Sequence, residues 1–305
     1  MTQVTKAVIL AAGYGTRFLP ATKSQPKEML PLVDRPIIHY AVQEAVDSGI
    51  DQVIIVTSHG KRAVEDYFDR SRDIEELLVA KGDEAKAEEM RAISRMADFA
   101  YVRQGEMKGI GDAVMTARHL VGQEPFVLIL PDDVIVSQRP ATAQLIDCFN
   151  QQQGSVVAVV EVPEAETPSY GIVDGDPVDE RVSRLRRLVE KPPLGTAPSR
   201  LAIVGRYLLT AAVFDAIERT EPGYGGEIQI TDALQRLADE EGMYAYRFDG
   251  TRYDTGRPLS FLTASVAMGL RRPEIAPQLR DFLRGLDLDA ADDSEPVAPQ
   301  ARSQS

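Results

Sequence analysis

Residues 7–17 read Ala7-Val8-Ile9-Leu10-Ala11-Ala12-Gly13-Tyr14-Gly15-Thr16-Arg17, and this stretch decides the fold class. Four apolar residues running into small residues and glycines read as a buried strand followed by a tight turn. A strand that ends this way lets the backbone approach a ligand closely, with amides free to point at phosphates. Arg17, and Lys27 in Pro26-Lys27-Glu28, add the positive charge that a polyphosphate requires. Two better-known phosphate patterns do not fit. The dinucleotide fingerprint fails because its third glycine position is Phe18, and no Gly-Lys-Ser/Thr ending follows the turn. The plainer alternative for Gly-x-Gly alone is a turn after a strand.

Working outward, short apolar runs alternate with helical patterns. Residues 36–48 have apolar positions at helical spacing, with Pro36 suited to the first turn and Gly49 to the C-terminal cap. Gln52-Val53-Ile54-Ile55-Val56-Thr57 is the next strand, and the charged residues 61–95 predict two or three exposed helices. Phe99-Ala100-Tyr101-Val102 and Phe126-Val127-Leu128-Ile129-Leu130 predict further strands, with a helix over 112–120 between them. Strand–helix–strand repetition with continuously apolar strands implies a sheet covered on both faces. The expected fold is α/β, with a parallel sheet flanked by helices.

The second half is less regular. Strands are expected over 155–162, 170–173 and 202–207, and helices over 210–219 and 231–239. Residues 1–284 are read as one domain. Residues 285–305, acidic and then rich in Pro, Ser and Gln, are read as a disordered tail.

Composition narrows the function classes. Of 305 residues 44% are hydrophobic and 27% charged, the balance of an ordinary globular protein. A formal net charge of −13 with no dense basic block argues against nucleic acid as a partner. An anionic ligand must then be held by a few local cations and backbone amides. With Cys148 the sole cysteine, no intramolecular disulfide can form, and the thiol reads as a small buried hydrophobe. The apolar run at 7–12 is too short to span a membrane, and no signal-peptide pattern precedes it, so a cytoplasmic location is expected. His39, His59 and His119 lack metal-ligand spacing.

Three further clusters carry chemistry. Leu130-Pro131-Asp132-Asp133 directly follows a strongly apolar strand, and ligands of open α/β sheets bind beyond the carboxyl ends of the strands. A carboxylate there suits Mg²⁺, which takes one or two carboxylates plus phosphate oxygens, and Asp254 of Arg252-Tyr253-Asp254-Thr255-Gly256 would complete the site. A turn or helix cap is the equally simple reading of the acid pair alone. Gln104, before Gly109-Ile110-Gly111, offers a donor and an acceptor, enough to bond one uracil carbonyl and N3–H together. In Val189-Glu190-Lys191-Pro192 the carboxylate can accept bonds from sugar hydroxyls and the ammonium can hold a sugar's phosphate. An exposed Glu-Lys pair is otherwise routine. Because adjacent strand residues face opposite ways, the backbone must bend there for both to reach one ligand. Ser169-Tyr170-Gly171 and Gly225-Gly226-Glu227 are read with them, as places where a sugar ring comes close.

Together these segments resemble the bacterial UTP–glucose-1-phosphate uridylyltransferases, or UDP-glucose pyrophosphorylases. The likeness runs from about Lys6 to about Leu270. It covers residues 13–31, Pro131-Asp132-Asp133, Glu190-Lys191-Pro192, Ile203-Val204-Gly205-Arg206-Tyr207 and Gly225-Gly226-Glu227-Ile228-Gln229-Ile230-Thr231-Asp232. The resemblance implies a Rossmann-like mixed, mainly parallel sheet flanked by helices, in one domain over 1–284 that is nucleotide-binding in its first half and sugar-phosphate-binding in its second. It implies transfer of UMP from UTP to glucose 1-phosphate, with pyrophosphate released, by a homodimer or homotetramer. It implies that Ala11, Ala12, Gly13, Gly15 and Thr16 hold the nucleotide, Arg17 and Lys27 its phosphates, and Gln104 and Gly109 the uracil. Asp132 and Asp254 would bind Mg²⁺, and Gly171, Glu190, Lys191 and Glu227 the sugar phosphate. Arg17, Lys27, Asp132 and Lys191 would be catalytic. The chain departs from the family at Tyr14, commonly Leu, at Thr255, commonly Cys, and at Asp112, often His. None of these removes a charge the chemistry needs. A sister enzyme using dTTP or another sugar phosphate shares most motifs. A non-catalytic nucleotide-sugar-binding regulator should have lost part of Gly15-Thr16-Arg17 or the acid pair, which this chain keeps.

Overall fold

The computed structural model describes residues 3–287. The tail expected from residue 285 lies, from 288 on, outside the described residues. In chain order the strands are β1 (Lys6–Leu10), β2 (Pro31–Leu32), β3 (Arg35–Pro36), β4 (Gln52–Thr57), β5 (Asp98–Arg103), β6 (Phe126–Ile129), β7 (Asp133–Val136), β8 (Ser155–Glu161), β9 (Gly171–Pro177), β10 (Val182–Glu190), β11 (Leu201–Leu209), β12 (Met243–Arg247) and β13 (Thr251–Asp254). The helices are α1 (Ile37–Asp47), α2 (Arg62–Phe68), α3 (Arg72–Ala80), α4 (Glu84–Ile93), α5 (Ile110–Thr116), α6 (Arg118–Val121), α7 (Ala141–Gln152), α8 (Ala212–Glu218), α9 (Ile230–Glu241), α10 (Pro258–Gly269) and α11 (Ala276–Gly285).

Among the described residues the main sheet runs β5-β4-β1-β6-β11-β8-β12-β10-β9, with β9 also pairing β11. It is mixed, as expected, but its parallel part is confined to β5-β4-β1-β6 and the β8–β12 pair. The second half of the chain joins through the antiparallel β6–β11 pairing, Ile129 opposite Arg206. Successive strand residues point to opposite faces, and the core divides accordingly. Val8, Val56 and Leu128 pack under α5, α8 and α9, where Phe126 stacks on Phe214 with ring centroids 5.4 Å apart. Ala7, Ile9, Ile55 and Ile129 pack under α1 and α7. Both faces are covered, which is why β6, and β1 after Lys6, are apolar.

Residues 61–95 form three helices, α2 to α4. The helix expected over 112–120 is instead two, α5 and α6, broken at Ala117. β10 was not anticipated. A bulge shifts its register between Leu185 and Arg187, so Leu185 and Leu188, three residues apart, are buried on one face, while Val182 before the bulge is buried on the other. That spacing hides the two-residue period by which a strand is recognised.

Candidate active site

The parallel strands β1, β4 and β6 end at one edge, and everything that follows them converges there. After β1 the chain turns at Gly15, whose φ of +64° lies in the left-handed region that glycine tolerates. A side chain at Gly15 would come within 3.0 Å of Lys27 Cβ, so the bare turn lets Lys27 lie against it. Thr22 Oγ1 donates to the Gly15 carbonyl at 2.8 Å, and Ser58 Oγ to that of Ala12 at 2.7 Å. Lys27 Nζ donates to Asp132 Oδ2 at 2.7 Å. Burial alone would depress the Lys27 ammonium, but Asp132 and Glu28 outweigh it and hold its pKa above the ordinary range. Next to it, buried Glu28 accepts from Lys61 at 2.7 Å.

After β6, residues Leu130 to Asp132 form a short turn into β7. Thr255 clamps it, donating from its backbone N (2.7 Å) and Oγ1 (2.8 Å) to the Asp132 carbonyl. The β7–β13 ribbon sets Asp254 opposite Asp133. The two acids of the pair have different surroundings. Asp133 is buried and fully engaged, accepting from Gly205 N at 2.8 Å and Arg252 Nε at 2.5 Å. Asp132 turns outward toward Asp254. A Cβ on Gly256 would lie 3.0 Å from Asp254 Oδ1 and 3.1 Å from Asp132 Oδ2, with Arg17 Nη1 3.8 Å away. The absent side chain leaves the two carboxylates facing a common gap. Among the described residues no cluster of three or more acid, His or Cys ligands exists. Two carboxylates alone suit a cation that draws its remaining ligands from phosphate and water.

Arg206, at 1% exposure, braces this turn from behind. It donates to both oxygens of buried Glu44, at 2.9 and 2.8 Å, and to the carbonyls of Leu130 (3.2 Å) and Gly205 (2.9 Å). Glu44 also accepts from Thr142 N and Oγ1. Burial alone would raise the Glu44 carboxyl, but Arg206 and Thr142 outweigh that and hold it below the usual range.

Two cavities meet at Asp132. The first, about 350 Å³, is lined by Ala12, Gly13, Lys27, Gln104, Gly109 and Asp132. Gly109, at φ +105°, lies so close to the next segment that a Cβ would meet the Ile228 carbonyl at 2.7 Å. The second, about 260 Å³, is lined by Arg17, Asp132, Gly171, Glu190, Lys191 and Asp254. The bend that the adjacent Glu190 and Lys191 require is present. Strand β10 ends at Glu190, and Lys191 has a left-handed φ of +45°. Its N–H donates to the Tyr170 carbonyl, and its ammonium lies 3.2 Å from Glu190 Oε1 and 5.1 Å from the centre of the Tyr224 ring.

Several expected positions differ. Glu227, expected with the sugar phosphate, lines the first cavity. Ile228 hydrogen-bonds to Lys108 and Gly111 on either side of Gly109, and this draws Glu227 to the Gln104 side. Arg17, expected beside the nucleotide's phosphates, lines the second cavity, at its junction with the first. Ala11, Gly15 and Thr16 line neither cavity, and the Ala11 amide is already donated to Val56 O. Other participants went unread. Thr231 donates to Glu190 Oε2 at 2.6 Å, and Arg252 links Asp133 to the Tyr170 hydroxyl. Arg252 sits in a segment quoted for its neighbour Asp254, so a second charge there was the available signal.

Paired carboxylates between two cation-lined cavities, at the carboxyl edge of a parallel sheet, define a protein that handles phosphorylated ligands. The chain belongs to the nucleotidyl transferase family, whose model matches residues 6–269. It is 47% identical to the UTP–glucose-1-phosphate uridylyltransferase of Bacillus subtilis (strain 168), covering 94% of this chain and 98% of that protein. Among solved structures it is similar to a UDP-glucose pyrophosphorylase complexed with UDP-glucose, with TM-score 0.82, 43% identity, and coverage of 88% of this chain and all of the other. It is also similar to the UTP-bound enzyme from Acinetobacter baumannii, with TM-score 0.84, 37% identity and coverage of 93% and 100%. Among the described residues no helix is long and apolar enough to cross a membrane.

Proposed function

We propose that this chain is a cytoplasmic, Mg²⁺-dependent UTP–glucose-1-phosphate uridylyltransferase that works as a homodimer or homotetramer. The observation that carries this reading is the meeting of two cavities at Asp132, with Lys27 on one side and Arg17 and Lys191 on the other. UTP takes the first cavity, its base toward Gln104 and Gly109, and glucose 1-phosphate takes the second. A phosphate oxygen of the sugar phosphate attacks the α-phosphorus of UTP in line, the bond to the β-phosphate breaks, and pyrophosphate leaves.

Two anions must approach each other, so the protein's task is to neutralise charge and align the reactants. Asp132 and Asp254 would hold Mg²⁺, which would supply positive charge for the phosphate oxygens. Lys27 exchanges its contact with Asp132 for the departing phosphates, which Arg17 also faces. Lys191 holds the attacking phosphate, and Glu190, fixed by Thr231, accepts from sugar hydroxyls. The nucleophile is already an anion, so no general base is needed.

The test is pyrophosphate release with UTP, dTTP or CTP, each offered with glucose 1-phosphate or galactose 1-phosphate, with Mg²⁺ or with chelator. The expected result is fastest release from UTP and glucose 1-phosphate, abolished by the chelator. Faster turnover of dTTP would move the chain to a sister enzyme, and no release from any pair would make it a binding protein. Light scattering measures the assembly.

A further inference from the structure

Asp112 lies in the first turn of α5, behind Gln104 of the first cavity, and the proposed reaction gives it no task. Its Oδ2 accepts a 2.7 Å bond from Gln104 Nε2, and the same nitrogen faces the Gly109 carbonyl at 3.4 Å. Gln104 is 5% exposed and lines the cavity. An amide can in principle be turned end for end, because oxygen and nitrogen have the same shape. Here only one orientation works. Reversing it would set Gln104 Oε1 against a carboxylate and a carbonyl, three acceptors with no proton among them. The nitrogen is therefore held on the protein side. Among the described residues no donor reaches Oε1, so the amide oxygen is left as the acceptor for whatever base fills the cavity.

We propose that Asp112 is a specificity-determining positioning residue, which fixes the Gln104 amide so that its oxygen reads a protonated N3 on the pyrimidine. Uracil and thymine carry that proton and donate it to Oε1. In the same pose cytosine presents an N3 lone pair, and acceptor meets acceptor. The device selects UTP over CTP and does not separate UTP from dTTP. It rests on the uridylyltransferase reading, because it assigns the base to this cavity.

The experiment measures Kd for UTP and for CTP by calorimetry, with Mg²⁺, on the wild type, on Asp112→Asn and on the Gln104→Glu/Asp112→Asn pair. Asn has the same size as Asp but can turn either end toward Gln104, so the amide is released. Asp112→Asn should cut the UTP-to-CTP preference about tenfold, the scale of one mispaired buried hydrogen bond. The paired exchange should restore the preference. The introduced asparagine then donates to one oxygen of the introduced glutamate, and the other oxygen accepts N3–H. Thermal melts accompany each variant, and if Asp112→Asn fails to fold, the paired exchange carries the test. An unchanged UTP-to-CTP ratio in folded Asp112→Asn, an equal weakening of both nucleotides, or no recovery in the paired exchange would overturn the proposal. Those outcomes are separable from failure of the broader reading, which would show as a wild type that releases no pyrophosphate from UTP and glucose 1-phosphate.

Discussion

Replacing Arg206 with Met keeps most of the side chain's volume and removes its charge. Glu44 would then be left buried, with Thr142 the remaining donor to Oε1 and no donor to Oε2 among the described residues. Removing one partner of a buried ion pair costs about 3–5 kcal/mol, because the other charge stays behind without compensation. At about 2–4 °C per kcal/mol for a chain of this size, Tm should fall by about 6–20 °C. Far-UV circular dichroism in urea suits the measurement, since the chain has no Trp to report by fluorescence. The double variant Glu44→Leu/Arg206→Met removes both charges and should recover most of the loss. The Glu44 carboxyl has its pKa lowered by folding. The pair's contribution is therefore complete above the carboxyl range of the unfolded chain, about pH 4.3, and is lost as pH falls through the lower folded value. The gap between wild type and Arg206→Met should accordingly narrow below about pH 4. The reasoning is refuted if Arg206→Met loses less than about 1 kcal/mol, or if the double variant is no more stable than the single one.

Asp132→Asn preserves shape but removes charge from the gap facing Asp254, so the initial rate of pyrophosphate release should drop about 100-fold or more. A rate within a few-fold of wild type would mean that Asp132 does not hold the metal. Lys191→Ala should raise KM for glucose 1-phosphate and lower kcat while leaving calorimetric UTP binding nearly unchanged. An equal loss of UTP affinity would put Lys191 in the nucleotide site. Burial and the neighbouring Arg35 push His39 down to about 4, so the unfolded chain takes up that proton first and stability drains as pH falls from about 6.5. In an NMR titration the His39 ring should stay neutral at pH 5, whereas a midpoint near 6.5 would contradict its burial between Arg35 and Tyr67.

Much of the first half was legible because its signals are local. A strand covered on both faces must be apolar over its buried stretch, so β1, β4 and β6 each carry a continuous apolar run. The turn after β1 must be small for backbone to approach a ligand, and it is written in glycines. The acids after β6 could be placed at the functional edge without coordinates, since parallel strands deliver their ends to one side. The second half was harder to read. β10 carries a bulge that puts Leu185 and Leu188 on one face three residues apart, and Val182 before it is buried on the other face, so no two-residue alternation marks the strand.

What the sequence determined by itself was the kind of chemistry: a glycine turn with Arg17 and Lys27, the carboxylates Asp132 and Asp254, the amide of Gln104, and the Glu190-Lys191 pair. What only the tertiary structure decided was how those groups divide between two cavities. Asp133 turns inward to Gly205 and Arg252 while Asp132 faces Asp254. Glu227 joins the Gln104 side because Ile228 bonds across Gly109, and Arg206 braces the acid turn from a strand 76 residues beyond Leu130. The physical reason is range. Turn chemistry and strand burial act within a few residues of one another and leave a mark in adjacent letters. A hydrogen bond or ion pair across the sheet depends on which strands become neighbours, and that is set only when the whole core packs.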